Sequence, residues 1–114
     1  YNRRPPFNLG RFDEYVATKW PKSIIRCKGL CYFRDETQTC YVFEQAGKQV
    51  QIRNAGQWFA EMPKKELEDF LLTHPEVQRD WDEKYGDRMQ KLVFIGQNLN
   101  REEIEKELDK CLDE

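Results

Sequence analysis

Four cysteines, Cys27, Cys31, Cys40 and Cys111, and a single histidine, His74, are the residues of this chain with metal-binding or thiol chemistry. Soft thiolates hold zinc or copper(I), so three of them on one surface would make a metal centre. Cys27, Cys31 and Cys40 are the candidates, because side chains of equal parity share one face of a strand. Their spacing is not the Cys-x-x-Cys of a zinc ribbon, and a free cysteine ordinarily packs as a small buried hydrophobe. Cys111 continues an apolar helical stripe and belongs to the core. His74 directly precedes Pro75 at a helix end and has no carboxylate or nucleophile at catalytic spacing. The phosphate-cradling pattern Gly-x-x-x-x-Gly-Lys-Ser/Thr is absent, so no nucleotide site and no enzymatic activity are expected of these residues.

A second constellation is basic and aromatic. Arg26 and Lys28 alternate with Cys27 and Cys31 and share their face with Leu30 and Tyr32. A turn centred on Asp35-Glu36 would set Cys31 opposite Cys40, which brings Tyr41 and Phe43 beside the basic pair. Such a surface can stack single-stranded nucleic acid. The overall charge argues against that partner: 19 Lys+Arg against 21 Asp+Glu leave a net −2, with no field to collect nucleic acid or an anionic membrane. An interface with another protein domain is the reading kept, with Arg26, Lys28, Tyr32, Tyr41, Trp58 and Arg88 as its candidate residues.

These residues need elements to position them. At 114 residues the chain forms one domain, 1–114, with a single core. Residues 1–7 form a basic, proline-containing lead-in arm, held extended by Pro5 and Pro6. Asn8 caps a first helix with Leu9, Phe12, Val16 and Trp20 inward, stopped by Pro21. Ile24 to Phe33, Thr37 to Gln45 and Gln49 to Arg53 read as strands of an antiparallel meander. Pro63 opens a helix with Leu67, Phe70 and Leu71 inward, and Pro75 a shorter one carrying Val77 and Trp81. Leu92 to Ile95 is a continuous apolar run, expected as a strand covered on both faces. Asn100 and Glu103 start a last helix with Ile104, Leu108, Cys111 and Leu112 as its stripe. The order α-β-β-β-α-β-α predicts an α+β fold: an antiparallel sheet of about four strands with helices packed on one face. No apolar run reaches the ~20 residues of a membrane span, and no charged-then-apolar leader opens the chain. Reduced thiols in the cytoplasm are the matching expectation.

The order and spacing of several short motifs carry a family resemblance. They are Pro6-Phe7 with Arg11 and Phe12, Arg26-x-Lys28-Gly29, Gln45-Ala46-Gly47, and Trp58 after Gly56. Trp81-Asp82 follows, and then the strongest, Gly86-Asp87-Arg88-x-Gln90-x-Leu92-Val93-Phe94-Ile95-Gly96. Together they make the chain resemble the C-terminal domain of the CobW family of GTP-dependent metallochaperones, from Pro6 to Leu112. The resemblance implies an accessory domain that makes domain or client-protein contacts. In that family a P-loop GTPase domain precedes this one in cis, carrying GTP, Mg2+ and a transition metal such as zinc or cobalt. It also carries the Cys-x-Cys-Cys metal motif, which these residues lack. The family's Arg-Pro-Phe-His appears here as Arg4-Pro5-Pro6-Phe7-Asn8, so a metal role for that histidine does not transfer. The competing reading is an independent thiolate module using Cys27, Cys31 and Cys40.

Overall fold

The structure, a computed structural model, describes residues 1–113. Its centre is a five-stranded antiparallel sheet in the order β1-β5-β2-β3-β4. The strands are β1 (Asn2–Arg3), β2 (Ile24–Phe33), β3 (Glu36–Ala46), β4 (Gln49–Gln57) and β5 (Gln90–Gly96). The helices are α1 (Leu9–Glu14), α2 (Lys64–Thr73), α3 (Pro75–Arg79) and α4 (Arg101–Asp109).

The expected α+β architecture is present, with one strand more than anticipated. The extra strand comes from the arm, expected to be a connector: Asn2 pairs with Lys91 and Arg3 with Gln90. The Tyr1 nitrogen donates to Leu92 O (2.9 Å), and Leu92 N donates back to Tyr1 O (3.0 Å). Pro5 and Pro6 lie beyond the pairing, where their missing N–H groups cost no ladder bond.

α1 and α4 cover one face of the sheet. Phe12, Tyr15, Ile104 and Leu108 meet Cys27, Cys31, Phe33, Phe43 and Leu92 there, and Phe7 from the arm is wholly enclosed among them. Asn8 caps α1 as expected, its Oδ1 accepting from Arg11 N (3.0 Å). The helix then widens into a π turn over Tyr15–Lys19. That widening carries residues five apart to one side, so Tyr15 and Trp20 both face inward with ring centroids 5.6 Å apart. Leu9, expected on the inner side, is exposed instead. Asn100 caps α4 through Glu103 N (3.1 Å), and Ile104 and Leu108 are buried as its periodicity requires.

The opposite face is covered at one end only. Trp58 packs against Tyr32, rings 5.7 Å apart and edge-on, and encloses Cys40 with Leu30 alongside. α2 lies outside this cluster and buries none of its residues completely, with Leu67, Phe70 and Leu71 only half covered.

The β2–β3 register differs from the expected one. Phe33 pairs with Glu36 across a tight Arg34-Asp35 turn, and Cys31 pairs with Tyr41. Between those pairs β3 advances five residues and β2 two, an odd surplus that turns every later β3 side chain to the other face. Cys40 therefore lies on the face opposite Cys27 and Cys31, while Tyr41 and Phe43 join the helix-covered core.

Candidate interaction surface

Three rows of side chains make up the uncovered face, and strand register fixes each row. The first runs Asn2, Lys91, Leu30, Val42, Arg53 from β1 to β4. The second is Val93, Lys28, Glu44, Gln51, and the third Ile95, Arg26, Ala46, Gln49. Helices cover the alternate residues of the same strands: Leu92 is 1% exposed, whereas Val93 and Ile95 are 59% and 57% exposed. The expectation that this apolar run is covered on both faces is thus corrected. Its even-numbered side chains reach the core and its odd-numbered ones stand in the open. Ile25 sits at a register slip between Ile24 and Arg26 and is exposed beside them.

Four cations, Arg26, Lys28, Arg53 and Lys91, share this face with one anion, Glu44, although the whole chain is net negative. Glu44 bridges Arg53 (2.8 Å) and Lys28 (3.7 Å), and the hydrogen bond from Arg53 holds its carboxyl below the usual range. All three groups are largely hydrated, so the bridges add little to stability. Arg26 and Lys91 stand in no ion pair among the described residues. The face is therefore basic around an apolar strip, a composition suited to a protein contact.

Of the six residues expected to form one surface, only Arg26 and Lys28 are exposed on it. Tyr32 and Trp58 are buried against each other, and the Tyr32 hydroxyl donates to Arg4 O. Tyr41 lies on the other face, packed on Phe33 and hydrogen-bonded to Glu36. Its place on the open face is taken by Val42, which half-covered alternation alone would not reveal. Lys91, Val93 and Ile95 were legible from the alternation of β5, while Arg53 required the bulged register.

Arg88 occupies a structural junction. It forms an ion pair with Glu61 and donates to Thr37 O (3.3 Å) and Tyr85 O (3.2 Å). Asp87 beside it accepts from Phe59 N (2.8 Å) and Ala60 N (2.9 Å), capping the 3-10 turn Phe59–Glu61. Gly86 is left-handed (φ 68°), and a Cβ there would lie 2.7 Å from the Ala60 Cβ. Gln90 is fully buried; its Oε1 accepts from Tyr32 N (3.1 Å), and its Nε2 donates to Tyr32 O (2.8 Å) and Pro5 O (3.1 Å). Gly86-Asp87-Arg88-x-Gln90 thus ties the arm, the β2–β3 turn and the Trp58 segment to one strand.

The thiols do not converge. Cys27 and Cys31 are buried under the helices and Cys40 under Trp58, and no group of three His, Cys, Asp or Glu among the described residues is arranged to hold a metal. Burial pushes the Cys27 and Cys31 thiols up to about 12 and Cys40 up to about 11, which disfavours the thiolate a metal requires. His74 stacks on Phe70, ring centroids 4.0 Å apart, and its Nδ1 lies 2.9 Å from Phe70 O. No helix among the described residues is long and apolar enough to cross a membrane.

The fold and the sequence both have counterparts in known proteins. The family described as the cobalamin synthesis protein cobW C-terminal domain matches residues 1–112. The chain belongs to that family. A CobW C-terminal relative, the zinc-regulated GTPase metalloprotein activator 1 of Dictyostelium discoideum, is 34% identical over 98% of this chain. The chain spans 24% of that relative's length. Two solved structures share the fold over 99% of the chain, which covers 29% of each. They are the Zn(II)-bound YjiA GTPase from E. coli (15% identical, TM-score 0.61) and a Zn(II)-bound triple mutant YjiA GTPase (14%, TM-score 0.60). A CobW C-terminal domain is thus about a quarter of the relatives it matches, which are described as GTPases.

Proposed function

We propose that this CobW C-terminal domain is the accessory, non-catalytic part of a GTP-dependent metallochaperone working in the cytoplasm. A P-loop GTPase domain precedes it in cis and holds GTP, Mg2+ and the metal. Zinc is the metal favoured by the relatives' descriptions, with cobalt the other candidate. The domain's part is contact, first with the GTPase domain and through it with a client metalloprotein. The observation that carries this reading is the uncovered half of the sheet, where Val93 and Ile95 lie open between Arg26, Lys28 and Lys91. Leaving these two β-branched side chains nearly three-fifths exposed forgoes about 1–2 kcal/mol of burial each, a loss that a covering partner would recover.

Ile95→Arg and Arg26→Glu in the full-length protein test it. Both sites are exposed, so folding is expected to be unchanged. GTP turnover, its response to metal or the association of the two domains is expected to change several-fold. Unchanged values in all three assays would leave the face as solvated sheet and remove the reading.

A further inference from the structure

β4 is the outer strand at the end of the sheet away from β1, and all nine of its residues are exposed. Its regular part is short and bounded on both sides. At one end the two-residue turn Gly47-Lys48 closes on Ala46 and Gln49, which exchange ladder hydrogen bonds. At the other, Tyr41 pairs with Asn54 and Thr39 with Gln57, so β4 advances three residues against two of β3 and bulges through left-handed Gly56 (φ 101°). Gln49 to Arg53 lie between the turn and the start of the bulge at Asn54, and Gln51 is their midpoint.

Ladder bonds alternate along an antiparallel pair, so Gln49, Gln51 and Arg53 direct their backbone groups to β3. Val50 and Ile52 direct both N–H and C=O outward. Their side chains, 44% and 43% exposed, stand on the helix-covered face beyond Gln45 and Phe43. Edge strands are ordinarily blunted by lysine, proline or a bulge. Within Gln49–Arg53 none of these occurs, and the one charged residue, Arg53, is held against Glu44 (2.8 Å).

We infer that this edge pairs with the same edge of a second copy of the chain, antiparallel about a twofold axis at Gln51, so that two sheets become one. That register sets Val50 opposite Ile52 of the second copy, and Ile52 opposite its Val50. These are the residues whose backbone groups point outward, so each pair exchanges two hydrogen bonds. The apolar side chains meet on one face; on the other, Gln51 meets Gln51 and Gln49 meets Arg53, with no like charges opposed. Other centres fit less well. An axis at Val50 sets Lys48 against Ile52, and an axis at Ile52 sets Asn54 against Val50. This self-complementarity is what an isologous contact demands, and it selects a second copy over an unrelated strand. The pairing uses the backbone of β4 and is independent of the open face proposed to meet the GTPase domain.

Sedimentation of the full-length protein over a range of concentrations is expected to show a reversible monomer–dimer equilibrium. Ile52→Pro removes an outward N–H without touching the β3 ladder, and is expected to weaken the dimer at least about tenfold. Cysteine substitution reads the register. Opposed residues flanked by hydrogen-bonded pairs lie about 4.5 Å apart between Cα atoms, within the span of a disulfide. Gln51→Cys is therefore expected to give a disulfide-linked dimer on mild oxidation, assigned to that position by peptide mass spectrometry. Gln49→Cys and Arg53→Cys would each stand about 13 Å from their own symmetry mates and are expected to stay unlinked. The cysteine series leaves the β4 backbone intact and decides the matter if the proline variant fails to fold. A monomer at every concentration overturns the inference, and protected Val50 and Ile52 amides in that monomer would assign the edge to a different strand. A dimer with no Gln51→Cys crosslink, or with all three variants crosslinking alike, is made elsewhere and equally overturns it.

Discussion

Replacing Gln90 with Leu isolates the junction that joins the arm to the sheet. Gln90 is wholly buried and makes three hydrogen bonds. Leucine matches its size, so the change removes polar contacts more than volume. Tyr32 O keeps a donor in Phe7 N (3.1 Å), but Tyr32 N–H and Pro5 O lose their partners. An orphaned buried backbone group costs about 1–3 kcal/mol, and the better burial of leucine offsets part of the sum. The expected net loss is about 2–4 kcal/mol. For a chain of 114 residues, 1 kcal/mol corresponds to about 4 °C in Tm, so melting should fall by about 8–16 °C. Gln90→Glu supplies the electrostatic counterpart. One carboxylate oxygen would then face two carbonyl oxygens, so the folded state favours the neutral acid and raises its pKa above the unfolded value of about 4.3. The penalty is full above the folded pKa, shrinks as pH falls through it, and vanishes below about 4.3. Thermal melts of both variants between pH 4 and 7 decide the matter. A Leu variant that melts within about 1 °C of the parent, together with a Glu deficit that does not vary with pH, would refute the assignment.

Gly29→Ala is expected to cost about 3 kcal/mol or more in urea denaturation, because its Cβ would fall 1.8 Å from Lys91 O and 2.9 Å from Leu92 Cα, backbone that cannot yield without parting β2 from β5. A chromogenic thiol reagent at pH 8 should leave Cys27, Cys31 and Cys40 unmodified in the folded chain and reach them on unfolding, given thiols held near 11–12; fast labelling of the native state would contradict their burial. Asp82 accepts from Tyr85 N and Lys84 N, which lowers its pKa, so its stabilisation is complete above the unfolded value of about 3.9 and fades as pH drops through the folded one. Asp82→Asn should accordingly flatten the acid limb of the stability profile, and an unaltered limb would count against the turn. Cys111→Ser should cost only about 1 kcal/mol, since a hydroxyl can donate to Glu107 O where the thiol now does (3.5 Å); a loss of 3 kcal/mol or more in urea denaturation would show that the hydroxyl finds no such partner.

Local patterns in the sequence were good guides wherever short-range chemistry decides the outcome. Ile24 to Phe33 is a strand over the expected bounds, Pro75 opens its helix, and Asn100 caps α4 through Glu103 N. The errors trace to long-range pairing. A simple turn leaves register continuous, whereas β3 places five residues against two of β2, and nothing in Thr37-Gln38-Thr39-Cys40 marks that surplus. One odd step moved Cys40, Tyr41 and Phe43 together, which undid both the thiol cluster and the aromatic half of the expected surface. The arm was read as a connector because two prolines dominate it, yet Tyr1 to Arg3 precede them and are free to pair. Alternation along β5 was visible, but whether anything covers Val93 and Ile95 depends on where α2 comes to rest, and that is a tertiary outcome.

The interlock of the arm with the last helix has a mechanical consequence. Asn8 N donates to Cys111 O and Asp113 N to Pro6 O, each at 2.7 Å, while Phe7 bridges Phe33 on one side and Leu112 on the other. A tension applied between the residues at 6–8 and those at 111–113 would be borne by this clasp, with little strain reaching β3 and β4. A pull on Tyr1 along the β1 axis loads the hydrogen-bonded Tyr1–Leu92 and Arg3–Gln90 pairs in shear, several bonds at once instead of one after another. Torque arriving from that side would therefore tilt the sheet as a stiff plate, and the β3–β4 ribbon at its far edge would sweep through the largest arc.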